Sequence, residues 1–145
     1  MSDVRSVKTF LEKFSQWVRT QSEIEAAALV GSYARDAANE ESDVDLIIIT
    51  NQPARYIDDP SWLSVFGEVA DSRVENWGNV TSLRVSYAEQ LEVEYSFALP
   101  EWAHIPVDPG TSRVIGAGTK ILFDARGALK RLHQEVSATL RPGER

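Results

Sequence analysis

Between Ala28 and Thr50 the chain reads Ala-Leu-Val-Gly31-Ser32, then ten residues, then Asp43-Val44-Asp45-Leu-Ile-Ile-Ile-Thr. The apolar run from Val44 to Ile49 is too short to cross a membrane and predicts a buried strand. Alternate residues of a strand share a face, so Asp43 and Asp45 point the same way. Two carboxylates side by side at the mouth of a buried strand repel each other and are costly to desolvate unless a cation sits between them. Their oxygens suit magnesium, which takes one or two protein carboxylates together with substrate phosphates. Gly31-Ser32 supplies the complementary half, because a glycine lets backbone approach a phosphate and a helix starting behind it offers free N–H groups.

The flanking sequence predicts alternating helices and strands. Ser2 or Asp3 caps a first helix with Val7, Phe10, Leu11, Phe14, Trp17 and Val18 on one face, a packing stripe. Ile24 to Val30 contains three alanines that would suit a helix, but the neighbouring Gly-Ser favours a strand. Tyr33 to Asn39 has the length of a short helix whose positive end would face phosphates. After Pro53 ends the Asp-bearing strand, a loop through Arg55 and Asp58 leads to a helix capped by Asp59-Pro60. Arg73 to Trp77 reads as a short strand. Thr81 to Tyr87 and Leu91 to Phe97 then alternate strictly and predict a hairpin. In its second arm Glu92, Glu94 and Ser96 share a face. A proline-rich loop from Leu99 to Gly110 carries Trp102 and His104, where an aromatic can stack on a base or plug the core edge. Thr111 to Ala117 reads as a turn of helix. Lys120 to Phe123 is a last strand, and a terminal helix presents Leu129, Leu132, Val136 and Leu140.

Composition narrows the partners. A chain of 145 residues predicts a single domain over 1–145, with room for a real core but not for a second sizeable lobe. The formal charge of -7, from 22 acidic and 15 basic residues, argues against non-specific nucleic-acid binding and favours a small-molecule or protein acceptor. Without cysteine there is neither a disulfide nor a thiolate metal site, and two distant histidines give little support to zinc. No signal region and no membrane-length apolar segment is present, which predicts a cytoplasmic location and no membrane partner.

The spacing of Gly31-Ser32 and Asp43-x-Asp45, with the wording Ser42-Asp43-Val44-Asp45-Leu46, resembles the signature of the DNA polymerase beta-like nucleotidyltransferase superfamily. It is similar above all to the minimal members and to the aminoglycoside and lincosamide nucleotidyltransferases. The resemblance implies an α/β (α+β) nucleotidyltransferase fold, a mixed central sheet flanked by helices. It also implies a third carboxylate from a strand beside the aspartate pair. Glu94 is the candidate, because Glu92-Val-Glu94-Tyr-Ser-Phe resembles the hydrophobic-Asp-hydrophobic-Thr wording of the antibiotic-modifying members. Glu92 is the fallback two residues earlier, and both glutamates can also be solvated strand positions.

By that resemblance Asp43 and Asp45 hold both of two Mg2+ ions, and Glu94 completes the site as a metal ligand or general base. Gly31 and Ser32 hold the phosphates of a nucleoside triphosphate, with ATP the expected donor. Arg35 and Lys120 are candidates for binding triphosphate charge, with a surface role the alternative for either. The implied enzyme moves an NMP group to a hydroxyl of a small molecule or protein. Two alternatives stand beside it. One is a minimal nucleotidyltransferase antitoxin that binds or modifies a small helical toxin. The other is an inactive nucleotide-binding relative, suggested by glutamate where the family has aspartate.

Overall fold

The computed structural model describes residues 4–34, 43–78, 80–88, 90–103 and 119–139. Helix α1 (Val4–Arg19) buries Val7, Phe10, Phe14 and Val18, the three- and four-residue spacing of one helical face. It stops where Thr20 folds back and its hydroxyl donates to the Trp17 carbonyl at 2.7 Å. Strands β1 (Ile24–Val30) and β2 (Val44–Thr50) follow as an antiparallel pair. Ala26, Ala27 and Ala28 are strand residues despite their helical propensity. Ala27 packs with residues of α1 and its neighbours with a second helix, so small side chains suit a strand covered on both faces.

A short helix α2 (Pro53–Asp58) and a 3-10 segment (Pro60–Phe66) lead to β3 (Val69–Asn76), β4 (Val80–Tyr87) and β5 (Leu91–Ala98). A 3-10 turn (Pro100–Ala103) follows β5, and the described chain resumes with β6 (Thr119–Asp124) and helix α3 (Ala128–Thr139). The sheet order is β3-β4-β5-β2-β1-β6, with β2 and β5 parallel and the other neighbours antiparallel. This is the mixed sheet with flanking helices expected from the sequence.

Three local readings change. The stretch through Arg55 and Asp58 is helix α2 rather than loop, started by Pro53 at its first position. The segment after Asp59-Pro60 is 3-10, with Asp59 accepting from the Ser61 N–H at 3.3 Å. Strand β3 begins at Val69 rather than Arg73. It is an exposed edge strand, and exposure removes the alternation that would have revealed its start. The expected helix beyond Ala34, the turn at Thr111 to Ala117, His104 and Leu140 lie outside the described residues. No helix among the described residues is long and apolar enough to cross a membrane.

The two faces of the sheet differ in chemistry. The first carries Leu29, Val44, Leu46, Ile48, Val85, Val93, Tyr95 and Phe97 under α1 and the 3-10 segment. Phe10, Phe14, Phe66 and Trp62 meet the Tyr95 ring there, and truncating a ring so buried typically costs about 3–5 kcal/mol. The buried Tyr87 hydroxyl donates to the Leu63 carbonyl at 2.9 Å and, having one proton, accepts from Tyr95 at 2.8 Å. The second face begins apolar, with Ala26, Ala28, Ile47, Ile49 and Ala98 covered by Leu129, Leu132 and Val136 of α3. Asp124 anchors α3 by accepting from the N–H groups of Leu129 at 3.3 Å and Lys130 at 2.9 Å. Towards β4 and β5 that face turns polar, and the candidate site lies there.

Candidate active site

Strand alternation puts Asp45 on the second face with Ile47 and Ile49, and Asp43 two residues earlier follows it. The parallel register sets Asp45 directly against Glu94 of β5. Asp43, Asp45 and Glu94 therefore come together from two neighbouring strands, and Glu92 lies one step further along the same face. Asp43 and Glu94 are largely buried, their side chains 27% and 19% exposed.

Beyond the apolar Val80–Ala98 pair, the β4–β5 hairpin sets polar residues of this face opposite one another. Ser82 lies opposite Ser96, Arg84 opposite Glu94 and Ser86 opposite Glu92. Each pair is hydrogen-bonded. The two serine hydroxyls are 2.7 Å apart, an Arg84 Nη1 donates to Glu94 Oε1 at 2.5 Å, and the Ser86 hydroxyl reaches both Glu92 oxygens at 2.9 and 2.7 Å. The other terminal nitrogen of Arg84 donates to Asp43 Oδ2. One guanidinium thus ties together β2, β4 and β5. Burial pulls the Arg84 pKa down, but the charges and hydrogen bonds of Asp43 and Glu94 together outweigh it and raise it above its ordinary value.

Gly31 ends β1 with φ +76°, a left-handed conformation that favours glycine. A Cβ built there would lie 2.5 Å from Asp45 Oδ2, so the missing side chain is what lets the Asp45 carboxylate settle against the backbone. The chain turns at once, with the Ala34 N–H donating to the Gly31 carbonyl at 3.1 Å, and half-buried Ser32 lies inside that turn.

The remaining candidates separate from this group. Arg35 lies outside the described residues. Lys120 of β6 pairs with Leu29, whose side chain belongs to the first face, whereas the Asp45 partner on β1 is Val30. Lys120 accordingly lines a cavity of about 690 Å³ with Val7, Leu11 and Leu29, across the sheet from the carboxylates. Arg84 is the residue that sequence reasoning passed over. The predicted hairpin, closed at Ala88 to Gln90, already sets residue 84 against residue 94, so half of its role was readable.

The nucleotidyltransferase domain family matches residues 8–107, more than half of the chain and a span that holds Gly31, Ser32, Asp43, Asp45, Arg84 and Glu94. No curated protein sequence matches. An aminoglycoside 6-adenyltransferase from Bacillus subtilis has a similar fold, with a TM-score of 0.53 at 14% identity over 65% of this chain and 35% of that one. Cid1, solved in complex with its short product ApU, aligns at a TM-score of 0.49 and 13% identity over 67% of this chain and 32% of its own. The chain spans about a third of the length of either structure. With residues 8–107, more than half of the chain, matched, the chain belongs to the nucleotidyltransferase domain family.

Proposed function

We propose that this domain transfers a nucleoside monophosphate from a nucleoside triphosphate, ATP by expectation, to a hydroxyl of a small molecule or a protein. The observation that carries the reading is the pairing of Asp45 with Glu94 across β2 and β5, with Asp43 two residues earlier and Gly31 packed against Asp45. The oxygen donors of Asp43 and Asp45 fit magnesium, which needs only one or two carboxylates when phosphates and water complete its shell. Among the described residues no group of three His, Cys, Asp or Glu side chains is placed to hold a metal ion. Magnesium, when bound, supplies positive charge to the attacking and leaving oxygens.

The residues of the chain divide the rest of the work. The N–H groups and hydroxyl of the Gly31-Ser32 turn receive the outer phosphates, which approach closely because Gly31 carries no side chain. Asp43 and Asp45 would hold the magnesium ion that accompanies the triphosphate, beside the Gly31-Ser32 turn. The acceptor oxygen bonds to the α-phosphorus, the bond from phosphorus to the bridging oxygen breaks, and pyrophosphate leaves with the electron pair. Glu94 receives the hydroxyl proton. It is a better candidate than Glu92, which lies a step further from Asp45 with both oxygens on Ser86. The net charge of -7 favours a small or protein acceptor over nucleic acid.

Isothermal titration with a non-hydrolysable ATP analogue tests the reading. Binding is expected with magnesium and not without it, and pyrophosphate release is expected once an acceptor is present. No heat and no competition at millimolar nucleotide, with magnesium present, would overturn it.

A further inference from the structure

The second face of the sheet contains a cation that belongs to the protein itself. Arg84 reaches Glu94 through one terminal nitrogen and Asp43 through the other, so its guanidinium fills the gap that a divalent ion bridging these two carboxylates would occupy. A guanidinium does not lose its proton in a protein, and its forked donors match two carboxylates at once. On either side along the hairpin lie the hydrogen-bonded Ser82–Ser96 and Ser86–Glu92 pairs, so the fork sits in a row of cross-strand polar pairs. Arg73, which faces Arg84 across β3 and β4, turns its charge to Glu75 at 3.3 Å and does not compete for the carboxylates.

Resting on the nucleotidyltransferase reading above, we infer that Arg84 is a resident positive charge that takes the place of a second divalent ion between Asp43 and Glu94. The site then loads one divalent ion with its nucleotide, on Asp43 and Asp45, instead of two. Arg84 acts through the carboxylates it holds and is a positioning residue. It keeps Glu94 beside Asp45 and supplies the charge that compensates Asp43 and Glu94, and it does so before any ligand arrives.

The number of metal ions is the direct test. Mn2+ is titrated into the protein with a non-hydrolysable ATP analogue, and bound ions are counted by electron paramagnetic resonance. One tightly bound Mn2+ per nucleotide complex is expected for the wild type. Arg84→Gln removes the charge and should bind a second Mn2+ at least tenfold more tightly than the wild type does. Arg84→Lys, which keeps a charge in the same place, should return the count to one. Two tight ions in the wild type, or a count of one in Arg84→Gln, would overturn the assignment of Arg84 while leaving nucleotide binding intact. Absence of bound Mn2+ from the wild type with the analogue present would overturn both the assignment and the functional reading beneath it. Should Arg84→Gln fail to fold, the wild-type count decides alone.

Discussion

Replacing Gly31 by alanine isolates the contact on which the site is built, because the structure contains its own control. Gly31 and Gly78 have nearly the same φ, +76° and +80°. A Cβ at Gly78 meets nothing within 4 Å, whereas one at Gly31 falls 2.5 Å from Asp45 Oδ2. Gly78→Ala therefore incurs only the cost of holding an L-residue in the left-handed region, about 1 kcal/mol. Gly31→Ala adds to that strain a contact about 0.9 Å inside the 3.4 Å at which ordinary van der Waals contact begins, and the Asp45 carboxylate must move by nearly that distance. The double cost is roughly 2–3 kcal/mol, since Asp45 is held in the sheet with Val30 and Glu94 as its register partners. For a chain of this size, a melting temperature should fall by about 3–4 °C for Gly78→Ala and by roughly two to three times that for Gly31→Ala. A catalytic carboxylate displaced by about 1 Å should also cost transfer on the order of 100-fold and weaken metal-dependent nucleotide binding, while Gly78→Ala leaves both unchanged. Differential scanning calorimetry and titration of the nucleotide analogue read the two effects separately. If both variants melt together and bind nucleotide alike, Asp45 does not rest against Gly31 and the geometry of the site is wrong.

Other perturbations follow from the same contacts. Asp43→Ala leaves Arg84 with one carboxylate in place of two and should destabilise the metal-free protein by about 1–2 kcal/mol rather than relieve repulsion; a higher melting temperature would show that Arg84 does not neutralise the pair. Glu94→Gln should spare most nucleotide binding while abolishing transfer, and Glu92→Gln should matter less, so the opposite ranking in a pyrophosphate-release assay would move the acceptor role to Glu92. Burial pushes the Tyr87 hydroxyl up to about 12 and that of Tyr95 well above its ordinary value. Both groups are neutral in the fold and ionise near pH 10 once unfolded, so the stability they contribute is complete below pH 10 and is lost as pH rises towards 12, roughly 3 kcal/mol from Tyr87 alone. Melting temperature against pH should drop steeply above pH 10 and less steeply in Tyr87→Phe; spectrophotometric ionisation of all four tyrosines near pH 10 in the folded protein would contradict this.

What the sequence reveals and what it hides divide along the range of the interactions. Asp43-x-Asp45 at the head of a buried strand and the hairpin ending at Phe97 are local patterns of period two, and both stand in the fold as read. The six residues of α2 are too few to establish a helical period, and the exposed β3 carries no burial pattern. Arg84 shows how far local reading reaches. Its position opposite Glu94 follows from the hairpin alone. Its bond to Asp43 depends on β5 lying beside β2, a pairing between segments separated by more than forty residues, as their register partners Asp45 and Glu94 are.

At Lys120 a single residue of backbone decides which face of the sheet the side chain joins. Strand β6 pairs with β1 as Ala26 with Asp124 and Ala27 with Phe123, and that register, continued, would set Lys120 opposite Val30, on the face of Asp45. A bulge between Ala27 and Ala28 shifts the pairing by one, so Ile121 meets Ala28 and Lys120 meets Leu29. A slip of one residue exchanges the two faces of a strand, and no propensity in Thr119 to Asp124 records it. The bulge also carries Leu122 and Phe123 together to the first face, where both pack against the core under α1. Apolar burial of two side chains thus fixes the register, and Lys120 is turned away from the carboxylates as a consequence. Arg84, by contrast, stays on the carboxylate face, where it is bonded to both Asp43 and Glu94.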